Sequence, residues 1–281
     1  MNRRAGGSRK RIFISALAFF ALFFGAACSP KAEKRSYLLA ERLWSEGNYS
    51  AAVKEFEKVV ARDPKGALGI QALYRAALTQ TIFLSQHLEA ARKLEAYILI
   101  AGETESSWSA EKELGEIWFS KLGLYDRAIS HYSELLRKNP KTPDAAFFRY
   151  RIAKSKLLQG EFQEAATALQ TIGKDFPGTE WAERSSYEAG LAYFTGGESD
   201  RNPAVFQQAI KAYELFLASF PKSRWVPDAH YGIAASWEEL DQIDRAIEGF
   251  RAILDTYPAK KALLVKIARL EERKANRIRG R

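Results

Sequence analysis

Thiols and imidazoles are scarce in this chain. Its 281 residues include one cysteine, Cys28, and three histidines, His87, His131 and His230. A single thiol excludes an intrachain disulfide and a thiolate zinc cluster. The histidines stand far apart and none has a partner at metal-ligand spacing, so no metal and no cofactor is expected. Nucleophile and phosphate motifs are missing too. Ser199 lies in Gly197-Glu198-Ser199-Asp200, which lacks the second glycine of a nucleophile elbow. Gly196-Gly197 has none of the spacing of a phosphate-cradling loop. Acid pairs such as Glu238 and Glu239 are adjacent, so on a helix they point about 100° apart and belong to a solvated face. With no catalytic constellation, the chain is not expected to be an enzyme.

The body of the chain also lacks excess positive charge, although the whole carries +9. Residues 1–11 hold five cations and no acid, and residues 260–281 hold nine cations against two acids. The stretch between them, 28–259, sums to about −3. Phosphate binding would need a broad basic surface, so nucleic acid is not an expected partner.

What is present begins with the N-terminus. The cations Arg3, Arg4, Arg9, Lys10 and Arg11 precede an apolar run, Ile12 to Ala27, broken only by Ser15 and Gly25. At 16 residues the run is short for a permanent membrane span, which needs about 20. It has the form of a cleaved signal. It ends Gly25-Ala26-Ala27-Cys28, which resembles a bacterial lipoprotein lipobox, with Gly25 where Leu is usual. The resemblance implies that Cys28 is acylated and becomes the new N-terminus, giving a membrane attachment through lipid. Ser29 after it implies sorting to the periplasmic face of the outer membrane.

The rest is a repeat. Gly47, Tyr49, Ala52, Phe56 and Pro64 set the pattern. Gly123, Tyr125, Ala128, Tyr132 and Pro140 repeat it, as do Gly160, Phe162, Ala165, Leu169 and Pro177. Later copies keep Ala209, Tyr213, Pro221 and Ala246, Phe250, Pro258, and a weaker one has Leu88, Ala91 and Ile98 without a closing proline. The marker alanines are spaced 39, 37, 37, 44 and 37 residues apart. Glycine permits positive φ at a helix end, alanine permits close helix approach, and proline ends a helix. This pattern resembles the tetratricopeptide family, whose period is about 34 residues. The expected fold is therefore all-α, a right-handed helix-turn-helix solenoid of about six repeats over residues 36–259. Residues 1–27 are expected to be the signal, 28–35 the lipidated cysteine and a polar tether, and 260–281 a basic amphipathic capping helix. A recurring Pro-x-Ser/Thr places Thr142, Thr179 and Ser223 to cap the next helix. The long interval is expected to enlarge one turn, opened by Gly196-Gly197.

Two features bear on binding. The same position of the first helix is Tyr37, Tyr150, Tyr187 and Tyr231 in four repeats. In the tetratricopeptide fold it faces the concave groove, which implies a tyrosine ladder for extended peptide segments or envelope proteins. Filling space between helices is the other reading. The second feature is Asp200-Arg201-Asn202-Pro203, either a helix-entry turn or a family mark. With Ala209, Tyr213, Leu217, Pro221-Lys222-Ser223 and Asp228-Ala229 it resembles a repeat of the BamD-like lipoproteins of the outer-membrane β-barrel assembly machinery. There the motif is Asp-Arg-Asp-Pro in the third of five repeats; here it stands in the fifth of six. The resemblance implies a scaffold of envelope assembly, and a Tol-Pal or peptidoglycan-coordination scaffold is the alternative. The basic tail could meet anionic lipid or an acidic partner, or be a solvated helix end.

Overall fold

A computed structural model describes residues 30–279, and these form α-helices joined by short turns, with no strand among them. The helices run in pairs: α1 (Pro30–Ser45) with α2 (Tyr49–Arg62), α3 (Ala67–Phe83) with α4 (His87–Ala101), and α5 (Glu105–Glu116) with α6 (Tyr125–Lys138). Then come α7 (Ala145–Leu158) with α8 (Phe162–Asp175), α9 (Glu180–Asp200) with α10 (Pro203–Ser219), and α11 (Val226–Glu239) with α12 (Ile243–Ala252); α13 (Lys260–Arg279) closes the series. Helix α5 is prolonged by a π-helical turn, Ile117–Lys121, which buries three consecutive residues, Ile117, Trp118 and Phe119. The result is a solenoid of six helix pairs and a terminal helix, as the repeat spacing predicts.

The marks of the repeat sit where their chemistry requires. All six marker alanines, Ala52, Ala91, Ala128, Ala165, Ala209 and Ala246, are fully buried, and Phe56, Tyr132, Leu169, Tyr213 and Phe250 are buried one turn on. Pro64, Pro140, Pro177 and Pro221 each follow the second helix of a pair by two residues. The repeat without proline ends instead at Gly102, which has φ +65.

Between the helices of each pair one residue is left-handed: Gly47, Gly123 and Gly160, but also Ser85, Arg201 and Asp241. The last three carry a Cβ that this conformation disfavours. Ser85→Gly is therefore expected to stabilise the protein by about 0.5–1 kcal/mol, read as a higher urea midpoint. A lower midpoint would show that Ser85 is held by contacts worth more than its strain.

Three expectations are corrected. First, residues 31–35 are not a tether, because α1 starts at Pro30 and they form its opening turns. Arg62 at the end of α2 ties this end of α1 down, donating to the Ala32 carbonyl at 3.5 Å and to Ser36 Oγ at 2.7 Å. Second, the long interval does not enlarge a turn. The turn is only Arg201-Asn202, and the extra residues lengthen α9 to 21 residues and α10 to 17. Gly196 and Gly197 are buried inside α9, where a Cβ would come to 2.9 Å from Phe162 and 2.9 Å from Phe206. They are close-approach positions, and helix continuity survives their poor propensity because packing outweighs it. Third, of the three connector hydroxyls only Thr179 caps a helix, accepting from Ala182 N at 3.2 Å. Thr142 and Ser223 accept from Asp144 N and Trp225 N at 3.3 and 3.1 Å. Those acceptor turns lie one step before the helix, since Asp144 and Trp225 are themselves the residues preceding α7 and α11.

The C-terminal helix packs Leu263, Ile267 and Leu270 into a cluster with Ile243, Ile247 and Phe250, closing the last pair. Much of its positive charge is answered internally. Lys266 pairs with Glu238, Lys274 with Asp244, and Arg273 and Arg277 both with Asp241.

Candidate partner-binding groove

The first helices of successive pairs come into contact, α1 with α3, α7 with α9 and α9 with α11, whereas the second helices do not to the same extent. Crowding on one side and spreading on the other curves the stack, so the first helices line its inner face. Ion pairs join them there. Arg75 on α3 donates twice to Glu41 on α1, at 2.9 and 2.8 Å, and lies 4.6 Å over the Trp44 ring. Arg151 on α7 reaches Glu116 on α5 at 2.6 Å and covers Phe119 and Phe147. Lys154 on α7 reaches Glu188 on α9 at 2.8 Å.

Glu188 is the most elaborate of these rungs. It is 8% exposed and accepts from the Tyr150 hydroxyl at 3.0 Å, from Lys154 and from Arg184 Nε at 2.9 Å. Burial works against its charge, but the hydrogen bonds from Lys154 and Arg184 outweigh it and hold the carboxyl below the usual range. Burial and then the Glu188 charge push the Tyr150 phenol well up, so it stays a donor. The Tyr132 phenol is raised likewise, by burial first and then by Glu116, to which it donates at 2.7 Å. One turn on from Lys154 and Glu188, Leu158 and Leu191 are 51% and 40% exposed. The inner face thus alternates charged rungs with accessible leucines, a surface that can hold an extended chain by its side chains.

The four tyrosines are placed unequally. Tyr37 is partly buried, its ring edge-on to Phe56 at 5.6 Å. Tyr150 is 1% exposed and packs on Trp181 at 5.0 Å. Tyr187 lies between Phe216 and Trp225, parallel to the latter at 5.5 Å, and burial pushes its phenol up to about 12. Tyr231 packs on Phe250 and Tyr257 at 5.2 and 5.1 Å. Each ring therefore meets aromatic residues of its own or the next repeat, not another of the four.

Asp200, Arg201, Asn202 and Pro203 are all exposed. Asn202 caps α10 by accepting from Ala204 N at 3.0 Å, Pro203 opens the helix, and Asp200 accepts from Gln163 at 3.3 Å. Their geometry is that of a helix-entry turn. Cys28 lies outside the described residues. The histidines remain in separate pairs; His131 Nε2 lies 2.8 Å from the Glu111 carbonyl.

The sequence reading missed the rungs. Glu41 and Arg75, Glu116 and Arg151, and Lys154 and Glu188 are 34, 35 and 34 residues apart, about one repeat. Opposite charges at that separation on successive first helices are the signal that finds them.

Comparison with known proteins agrees with this architecture. A tetratricopeptide repeat matches at residues 35–65. A repeat protein from Parabacteroides merdae superposes with a TM-score of 0.51 at 13% identity, covering 87% of this chain and 89% of its own. The Naa15/Naa10 complex bound to HypK-THB contains a chain with a TM-score of 0.58 at 15% identity, covering 86% of this chain and 34% of that one. These likenesses are of fold alone. No curated protein matches in sequence. The outer membrane lipoprotein family YfiO matches residues 125–272, more than half of the 281, from α6 into α13. The chain belongs to the YfiO family of outer membrane lipoproteins.

Proposed function

We propose that this protein is a lipid-anchored scaffold at the periplasmic face of the outer membrane, whose inner groove holds extended segments of envelope proteins during β-barrel assembly. Residues 1–27 are its cleaved signal and Cys28 carries the lipid. Residues 36–259 present the groove, and 260–281 cap it. The observation that carries the reading is the inner face itself, where exposed Leu158 and Leu191 alternate with the Lys154, Glu188 and Arg151 charges. An extended segment can place apolar side chains at the leucines and polar ones at the rungs. Tyr37, Tyr187 and Tyr231 contribute ring edges beside it, and the exposed Asp200-Arg201-Asn202-Pro203 turn is a second contact point.

The test is photo-crosslinking in intact cells from residues placed at 158 and 191. Capture of a β-barrel assembly component is the expected result. Capture of Tol-Pal or peptidoglycan-coordinating proteins would move the scaffold to that system instead. The tyrosines separate by a second experiment. Tyr37→Phe, Tyr187→Phe and Tyr231→Phe together are expected to leave folding intact, since the rings stay, while weakening capture several-fold through loss of the polar tips. Unchanged capture would make these residues packing alone.

A further inference from the structure

We propose that the outward face of α1 is a membrane-contact surface that lies along anionic lipid headgroups; the inference rests on the acylation of Cys28. Among the described residues α1 is the first element of the stack and packs on α2 and α3, and none of them covers its remaining face. Lys31, Lys34, Arg35, Leu38 and Arg42 are all exposed there, Leu38 to 58%. Their spacings of three, one, three and four residues make a single stripe, about 16 Å long at the helical rise.

Of the two acids within this stretch, Glu33 lies on the opposite face, and Glu41 stands at the edge of the stripe with its carboxylate turned to Arg75. Glu33 is 9% exposed, and Glu41 is held by both guanidinium bonds of Arg75. The stripe is therefore cationic with one protruding leucine, the composition of an interfacial helix. Its position selects the occupant. One residue, Ser29, separates Cys28 from the helix, so even a fully extended chain keeps Lys31 within about 10 Å of the acylated residue. That is close to the screening length at physiological salt, so the stripe cannot escape the field of an anionic leaflet. Each cation held at such a surface strengthens contact on the order of five-fold. The solenoid would then leave the membrane side-on from its first helix, with the later repeats projecting into the periplasm.

The test uses the full lipidated protein in vesicles of phosphatidylcholine with or without phosphatidylglycerol. A water-soluble amine reagent then measures lysine reactivity by mass spectrometry. Lys31 and Lys34 are expected to lose about five-fold or more of their reactivity on the anionic vesicles, while exposed Lys211 on α10 and Lys222 in the connector after it do not change. At 1 M salt the protection is expected to vanish while the protein still floats with the vesicles. Equal reactivity on both vesicle types, in protein that floats, overturns the contact surface and leaves the anchor standing. Protein that does not float overturns the anchor, and the contact surface with it. Protection seen in cells but on neither vesicle would assign the stripe to an acidic protein and overturn the lipid assignment.

Discussion

Gly232→Ala is expected to destabilise the protein by about 2–3 kcal/mol, although alanine is the better helix former by about 1 kcal/mol and Gly232 lies inside α11. The cause is Tyr213 on α10, which is 2% exposed. A Cβ at 232 would stand 2.4 Å from its Cε2 and 2.5 Å from Cζ. The ring cannot retreat, because the backbone of Gly190 on α9 bounds its other edge, where a Cβ would come to 2.5 Å from Cδ1. Yielding to one helix presses the ring toward the other, so the clash must be relieved by moving α11 from α10. Gly190→Ala should therefore behave alike. In a solenoid each pair touches only its neighbours, so the damage is local. Hydrogen exchange should accelerate in α11 to α13 while α1 to α4 keep their protection. Removing the ring provides the control: in a Tyr213→Ala background, Gly232→Ala should become neutral or stabilising. Persistence of the penalty without the ring would mean that the clamp is not its source.

That clamp shows how far the sequence can be read. The marker Ala209 and Tyr213 one turn later are visible from periodicity, and so is the pairing of helices they imply. That Tyr213 is the ring two glycines enclose is not visible, because Gly190 and Gly232 stand 23 residues before it and 19 after it, on helices whose facing sides only the stacking defines. Gly196 and Gly197 misled for a related reason. Adjacent glycines favour a turn on local grounds, yet Phe162 and Phe206 approach so closely that neither position has room for a Cβ, so the glycines serve packing inside a continuous helix. Arg201 supplies the left-handed residue that glycine would otherwise provide, which hid the true turn. On the inner face the tyrosines were legible as a recurring type at one position, but the burial of Tyr150 and Tyr187 depends on Trp181 and Trp225, each supplied by the following repeat. The charged rungs were legible only as pairs one period apart, a relation between repeats that no search within a repeat reveals.

Glu188→Ala is expected to cost about 3 kcal/mol at neutral pH, and Glu188→Gln about half as much. The alanine leaves the Tyr150 hydroxyl, buried to 1% exposure, without its acceptor, and frees Lys154 and Arg184. Glutamine keeps an acceptor for Tyr150 but loses the charge that bound the two cations. Both cations reach solvent, at 24% and 48% exposure, which limits the penalty to less than a fully buried pair would exact. The carboxyl is held below its ordinary value of 4.5 in the folded state. Its contribution is therefore complete above that value and is lost as pH falls through the folded one. The difference in unfolding free energy between the wild type and Glu188→Gln should thus be constant from pH 7 to about pH 5 and shrink below it. A difference that stays the same down to pH 3 would mean that the charge contributes nothing. The same residue constrains any reading of the groove. Because Glu188 already engages Tyr150, removing that tyrosine loosens α7 from α9 whether or not a partner touches it. Loss of capture in a Tyr150 variant thus reports on the groove only if hydrogen exchange in α7 and α9 is unchanged by the substitution.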